Sequence, residues 1–305
     1  MKSDGTPAIL DRTKMTDDAT SLRKNLVRQA SYYDRFVSAF DSMEAGSETS
    51  GNRLARQRFL AKKVALILGE SRIHKTDVVV DVGCGTAILS KEAMSRAACV
   101  IAVDVSLGML EVARKKCESE CGYAEFIRAD ASSLPFADES VDKYISSNLI
   151  EHLSSIDKHF SEVYRVLAQG GKAVFCFPNG STRFLRLEKL AEGFLRRYLV
   201  LKKEHRAFHE SVDECASIAE RYSELASVGA SFVHNELDVI GVSHQLSRSG
   251  FRVASVRTFG IIPYLTPDIL MLTRLPSFLE RTVERLGLFH LDLGSALITV
   301  DKTAN

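Results

Sequence analysis

The chain has 305 residues, 45% of them hydrophobic and 26% charged, enough for one large core with appended helices or at most two domains. With 40 basic against 39 acidic residues the net charge is +1, so the strongly basic footprint of a nucleic-acid binder is missing. No stretch approaches the ~20 apolar residues needed to span a bilayer, and Met1-Lys2-Ser3-Asp4-Gly5-Thr6-Pro7 lacks the apolar run of a signal peptide.

Residues 1–15 are polar with an early proline and read as disordered. Thr16-Asp17-Asp18 is a helix start, after which Leu22, Leu26, Tyr33, Val37 and Phe40 recur at helical spacing. Residues 41–52 are rich in Ser, Glu and Gly and form a loop, which divides an N-terminal helical segment or lid (1–52) from the main domain (53–305). A second helix over about 53–68 precedes strands near 77–82, 99–104, 124–129, 142–147 and 172–177. Helices are predicted between them near 87–96, 107–118 and 156–168. This alternation specifies an α/β fold with a parallel sheet and right-handed crossovers. Pro178-Asn179-Gly180 then turns, Ser181 can cap a helix, and Phe184, Leu187, Leu190, Ala191, Phe194, Tyr198 and Leu201 share one helical face. Residues 181–230 read as a helical cap insertion. A helix over about 235–248 returns to the core, followed by strands at 253–259 and 295–300 on either side of an apolar, proline-punctuated stretch.

The chemistry starts at Val78-Val79-Val80-Asp81-Val82-Gly83-Cys84-Gly85-Thr86-Ala87, where a β-branched strand stops in a tight glycine turn and feeds a helix. An open α/β sheet holds nucleotide-like ligands at such a turn. Asp81 would repel a pyrophosphate, and Ile88 stands where the dinucleotide fingerprint needs its third glycine or alanine, so a nicotinamide dehydrogenase is the weaker reading. A carboxylate before the turn suits a ligand carrying an ammonium or ribose hydroxyls. Asp104 ends the second strand near the offset expected of a ribose acid; its alternative is a helix cap. Asp130 ends the third strand, where it can accept from an exocyclic amine, with Phe126 and Leu134 supporting a purine face; alone it would be a turn residue.

These segments, with Ser147-Asn148-Leu149-Ile150-Glu151-His152-Leu153 and Glu162-Val163-Tyr164-Arg165-Val166-Leu167-Ala168-Gln169-Gly170-Gly171-Lys172, resemble the class I S-adenosylmethionine-dependent methyltransferases. The likeness is to the small-molecule branch that includes ubiquinone- and menaquinone-biosynthesis enzymes. It is strong over 75–178 and weak beyond. It implies a Rossmann-like seven-stranded, mostly parallel sheet whose last strand runs antiparallel between the fifth and sixth. It also implies S-adenosylmethionine as cofactor: Asp81, Gly83, Cys84 and Gly85 around the methionine moiety, Asp104 and Val105 at the ribose, Asp130 and Ala131 at the adenine, Asn148 and Leu149 beside the sulfonium. Ala168-Gln169, where such enzymes often carry Lys-Pro, is expected in a surface loop. Tyr33 either closes over the cofactor or packs the first helix on the sheet; both stay open.

Methyl transfer from a sulfonium needs positioning and exclusion of water more than acid–base groups. For a phenolic acceptor, His152 is the first candidate base and Glu151 the second; a helix cap or solvated His is the alternative. His205 and His209 are four apart, yet lack a cluster of further ligands, and no metal is expected. Six scattered cysteines read as reduced thiols of a cytoplasmic protein. The basic face of 183–206 either rests on a membrane surface or is the solvated side of a lid; the lid is the reading adopted. Phe184, Phe194 and Tyr198 are expected to line the acceptor pocket. The expected partner is a small, hydrophobic acceptor (a quinone, isoprenoid or aromatic metabolite), with no nucleic acid and with oligomerisation open. The competing reading is a non-catalytic partner that kept the cofactor pocket and docks through its basic helix.

Overall fold

A computed structural model describes residues 26–35, 37, 53–179, 235, 237–259 and 295–303. The predicted start at Thr16, the loop 41–52, the insertion 181–230 with Phe184, Phe194, Tyr198, His205 and His209, and the stretch between the last two strands lie outside these residues.

Runs of β-branched and apolar residues make the strands β1 (Val78–Val82), β2 (Cys99–Asp104), β3 (Ala124–Arg128), β4 (Val141–Ser147), β5 (Leu167–Pro178), β6 (Arg252–Phe259) and β7 (Ser295–Asp301). They form one sheet in the order β3-β2-β1-β4-β5-β7-β6. β1 pairs in parallel with β2 and β4, and β4 with β5, whereas β7 is antiparallel to both β5 and β6. The antiparallel seventh strand implied by the resemblance is therefore present, inserted between the fifth and sixth.

Period-two pleating sends neighbouring residues to opposite faces. Val80, Val82, Ile101, Tyr144 and Phe175 pack under α5 (Ile156–Val166) and α6 (Val239–Arg248). Val79, Val100, Ile145 and Val174 pack under α2 (Arg53–Ser71), α3 (Ile88–Met94) and α4 (Leu107–Cys117). With helices on both faces the central strands read as continuous hydrophobic runs. Side-chain caps start the helices: Ser106 accepts from the Met109 N–H, Ser155 from Lys158 and Asp238 from Gly241. Residues 26–35 form a further helix, α1, ahead of the sheet.

Some boundaries differ from expectation. β5 begins at Leu167, not near 172, so Ala168-Gln169 lies in the strand and not in a surface loop. The reason is backbone pairing: Leu167 pairs with Val141, and the Gly170-Gly171 segment exchanges hydrogen bonds with Lys302 beyond β7. The last helix starts at Val239 because Asp238 caps it there.

Chain order reverses between β1 and β4, so their carboxyl ends open a crevice, the place where open α/β sheets take ligands.

Candidate functional site

Past Val82 the backbone turns through Gly83 at φ 71° and Gly85 at φ 53°. The Gly83 and Cys84 N–H groups both donate to the Val103 carbonyl (2.8 and 3.0 Å), pinning the turn to β2. A Cβ on Gly83 would lie 3.0 Å from Leu149 Cδ1, so glycine is required there by both conformation and space. Asp104, at the end of β2, accepts from the Gly85 N–H (2.9 Å) and the Ser106 N–H (2.9 Å), one on each oxygen. Burial pushes its carboxyl up, opposed by the N–H groups of Ser106, Gly85 and Val105. A carboxylate oxygen accepts more than one hydrogen bond, so each retains capacity for a ligand hydroxyl.

Asp130 accepts from the Ser132 N–H (2.8 Å), which closes the turn after β3. Beneath it lies a residue with no signal in the sequence. His159 of α5 is fully buried, with Nδ1 2.8 Å from the Ala131 carbonyl and Nε2 2.9 Å from the Tyr144 hydroxyl. Burial lowers its pKa to about 4, so it is a neutral imidazole donating to Ala131 and accepting from Tyr144.

At the end of β4, Asn148 takes a left-handed conformation (φ 56°) and its N–H donates to the Cys176 carbonyl at 2.8 Å. Asn tolerates this region better than most residues. A 3-10 turn, Ile150–His152, follows. Distant residues hold it: Gln29 Nε2 donates to the His152 carbonyl (2.6 Å), the Asn235 N–H to the Glu151 carbonyl (2.7 Å), and Asn235 Nδ2 to the Leu153 carbonyl (2.8 Å). Helix α1 is anchored by Asp34, whose Oδ1 accepts from Ser106 Oγ (2.5 Å) and the Gly108 N–H (2.9 Å). That anchor sets Tyr33 edge-on to His152, ring centroids 6.3 Å apart.

Together these pieces enclose a cavity of about 270 Å³. Gly83, Cys84, Gly85, Asp104, Val105, Asp130, Ala131, Asn148, Leu149, His152 and Tyr33 all line it. Ile88, which opens α3, lines it too, as does Lys63 of α2. Asp81 does not. It is 1% exposed and one of its oxygens accepts from Ser90 Oγ of α3 (2.6 Å), so the carboxylate for which the sequence suggests contact with a ligand ammonium lies behind the lining residues. Glu151 is also 2% exposed, directly behind the cavity wall; burial pushes its carboxyl up to about 7 although Lys63 opposes the shift. Phe126 and Leu134, which the sequence suggests beside a purine, are not among the lining residues: Phe126 packs against Cys84, Ala102 and Leu110 with Arg114 over its ring, and Leu134 is fully buried in the core. Among the described residues no group of three or more His, Cys, Asp or Glu side chains can hold a metal, and no helix is long and apolar enough to cross a membrane.

Residues 80–175 match the family model described as "Methyltransferase domain". The chain is 31% identical over 155 residues to a demethylmenaquinone methyltransferase of Clavibacter sepedonicus, covering 51% of this chain and 60% of the relative. It is 28% identical over 161 residues to a malonyl-[acyl-carrier protein] O-methyltransferase of Serratia marcescens, covering 53% and 56%. The chain thus spans somewhat over half the length of these relatives. Among solved structures, the cyclase SpnF superposes with a TM-score of 0.58 at 15% identity, covering 91% of this chain and 96% of that one, a likeness of fold alone. The resemblance to S-adenosylmethionine-dependent methyltransferases is supported by the family model and the relatives, and the sheet carries the strand order that the resemblance implies. The cofactor of such a domain is S-adenosylmethionine, and the residues present fit it: a left-handed glycine turn at Gly83 packed against Leu149 of the cavity wall, and acceptor oxygens at Asp104 and Asp130 for hydroxyl and amine donors.

Proposed function

We propose that this chain transfers a methyl group from S-adenosylmethionine to a small, hydrophobic acceptor. One observation carries the reading: a left-handed glycine turn and two strand-end carboxylates, Asp104 and Asp130, line a single cavity at the switch point of the sheet. When bound, the cofactor supplies an electrophilic methyl on a sulfonium. Gly83, Cys84 and Gly85 would hold its methionine end with Tyr33 above, Asp104 and Val105 its ribose, and Asp130 and Ala131 its adenine. Asn148 and Leu149 would border the transferred group. The protein's share of the work is to orient the acceptor against that group and keep water out, which is where most of the acceleration of an in-line displacement arises.

The acceptor's class is drawn from the relatives, of which one is named for a quinone and another for a carrier-bound malonyl group. Residues 181–230 follow β5 at its carboxyl end, and Phe184, Phe194 and Tyr198 are proposed to contact the acceptor. Calorimetric titration with S-adenosylhomocysteine and with NAD tests the cofactor; profiling of extracts incubated with methyl-labelled cofactor tests transfer. Tight NAD binding without S-adenosylhomocysteine binding overturns the reading, and cofactor binding without any labelled product leaves a non-catalytic cofactor-binding partner in its place.

A further inference from the structure

We propose that His152 and Glu151 form a proton-accepting dyad: His152 takes the proton of the methyl acceptor, and Glu151 holds the imidazolium that results. The acceptor is accordingly an acid, a phenol or an enol, ionised within the site. This rests on the methyl-transfer reading and narrows it to a substrate class.

The geometry has three parts. The His152 imidazole lines the cavity with Asn148 and Leu149, at the end of β4 where the transferred group is proposed to lie. Behind it, Glu151 Oε1 is 3.9 Å from His152 Nε2, an ion-pair distance once the ring is protonated. The other oxygen, Glu151 Oε2, is buried with no hydrogen-bond partner among the described residues. A carboxylate left with an unsatisfied oxygen in a buried place costs stability unless a partner arrives. The pair is also fixed in place, since the Glu151 and His152 carbonyls are held by Asn235 and Gln29.

The groups facing Glu151 come from every neighbouring element: Tyr33 from α1, Lys63 from α2, Cys176 from β5, and His152. Burial holds the Tyr33 phenol and the Cys176 thiol neutral, so neither competes as a base. A carboxyl whose pKa burial has raised is favoured toward its ionised form when a cation forms beside it. That is the behaviour required of the group behind a base, as in other nucleophile–base–orienter arrangements.

The step balances as follows. The acceptor O–H breaks with its pair left on oxygen, and the proton goes to the His152 imidazole. An oxygen lone pair forms the bond to the methyl carbon. The carbon–sulfur bond breaks with its pair retained by sulfur, which becomes a neutral thioether. The imidazolium then gives its proton to water. An amine acceptor attacks with a pair it already has and needs no such base beforehand.

The probe is 4-nitrophenol, whose visible absorption appears only on ionisation, titrated into the full chain saturated with S-adenosylhomocysteine at a pH where the free phenol is mostly protonated. The parent should show a saturable phenolate band. Glu151→Gln should cut bound phenolate about tenfold, the equivalent of one pKa unit, Glu151→Asp should restore part of it, and His152→Phe should abolish it. Phenol bound neutral, no phenol bound, or equal bands in the parent and Glu151→Gln overturn the dyad. Calorimetry with S-adenosylhomocysteine separates the two readings. Parental affinity in the variants without a phenolate band in the parent sinks the dyad and leaves methyl transfer standing; a parent that does not bind S-adenosylhomocysteine sinks both.

Discussion

The half of the cavity made by β1, β2 and β3 and the half closed by β4, α1 and α2 differ in how far the chain travels to build them. In the first half, the Ser106 N–H reaches Asp104 across two positions, Ser132 reaches Asp130 across two, and Gly85 reaches Asp104 across 19. In the second half, Gln29 reaches the His152 carbonyl across 123 positions, Lys63 approaches Asn148 across 85, and Asn235 reaches the Leu153 carbonyl across 82. The first half is a property of strand ends and their turns. The second exists only once helices from both directions have docked. A site divided in this way can keep a constant cofactor subsite while the acceptor subsite changes with whatever docks on it.

Removing Asp104 attacks the local half hardest. In Asp104→Ala the Gly85 and Ser106 N–H groups lose their acceptor, and a ribose loses two, with hydrogen bonds to a charged group contributing about 1.5–3 kcal/mol each. S-adenosylhomocysteine affinity should fall on the order of 100-fold or more by calorimetry, and the thermal midpoint should fall with it. An unchanged affinity with an unchanged melt would show that the first half does not depend on this carboxylate.

The two halves also carry opposite responses to pH, each on the order of a few kcal/mol, because burial pushes the pKa of one group down and of the other up. His159, under Ala131, has its pKa lowered from 6.5 to about 4. The unfolded chain binds that proton more readily, so stability from this group is lost as pH falls from about 6.5 toward 4. Glu151 has its pKa raised from 4.5 to about 7. Here the folded state holds the proton, so stability is lost as pH rises from about 4.5 to 7. Over this shared window the two slopes nearly cancel in the parent, so denaturant melts should show His159→Leu losing stability as pH rises, the Glu151 slope alone, and Glu151→Gln losing it as pH falls, the His159 slope alone. The same slope in both variants would contradict the assignment.

Legibility follows the same division. Asp104, Asp130 and the two glycines were readable because a strand end and its turn state their own chemistry. Asp81 reads as a ligand group in the sequence, which does not show that Ser90 of α3 comes within reach of one of its oxygens. For Phe126 and Leu134 nothing in a run of apolar residues tells which side will meet a cavity and which the core; in the fold both lie outside the cavity lining. The contacts of His159, Gln29 and Asn235 leave no trace in the sequence, since each acts through a partner that the sequence does not bring near. Tyr33 is two-sided in the sequence; in the fold Asp34 fastens α1 onto the start of α4 and Tyr33 lies in the cavity lining.

The turn that begins the local half contains one residue at odds with its conformation. Ala87 sits at φ 66° and ψ 33° as the residue before α3, fully buried, its N–H donating to the Cys84 carbonyl at 2.9 Å. An L-residue with a Cβ pays roughly 1–2 kcal/mol in the left-handed region, and glycine avoids this while costing about 0.5–1 kcal/mol in the entropy of the unfolded chain. The balance favours Ala87→Gly by a few tenths to about 1 kcal/mol, the smallest effect expected here and one of opposite sign to the others. Removing a buried methyl takes some of that gain back, since Ala87 packs in the same cluster as Leu89 and Ala93. The contrast is with Gly83→Ala, where the φ of 71° and Leu149 at 3.0 Å from the new Cβ should lower stability by about 1–2 kcal/mol or more. Because Leu149 also lines the cavity, that variant should bind S-adenosylhomocysteine less well, whereas Ala87→Gly, whose methyl lies outside the lining, should bind it as the parent does. Equal destabilisation by the two substitutions would mean that packing, not backbone conformation, sets the geometry of this turn.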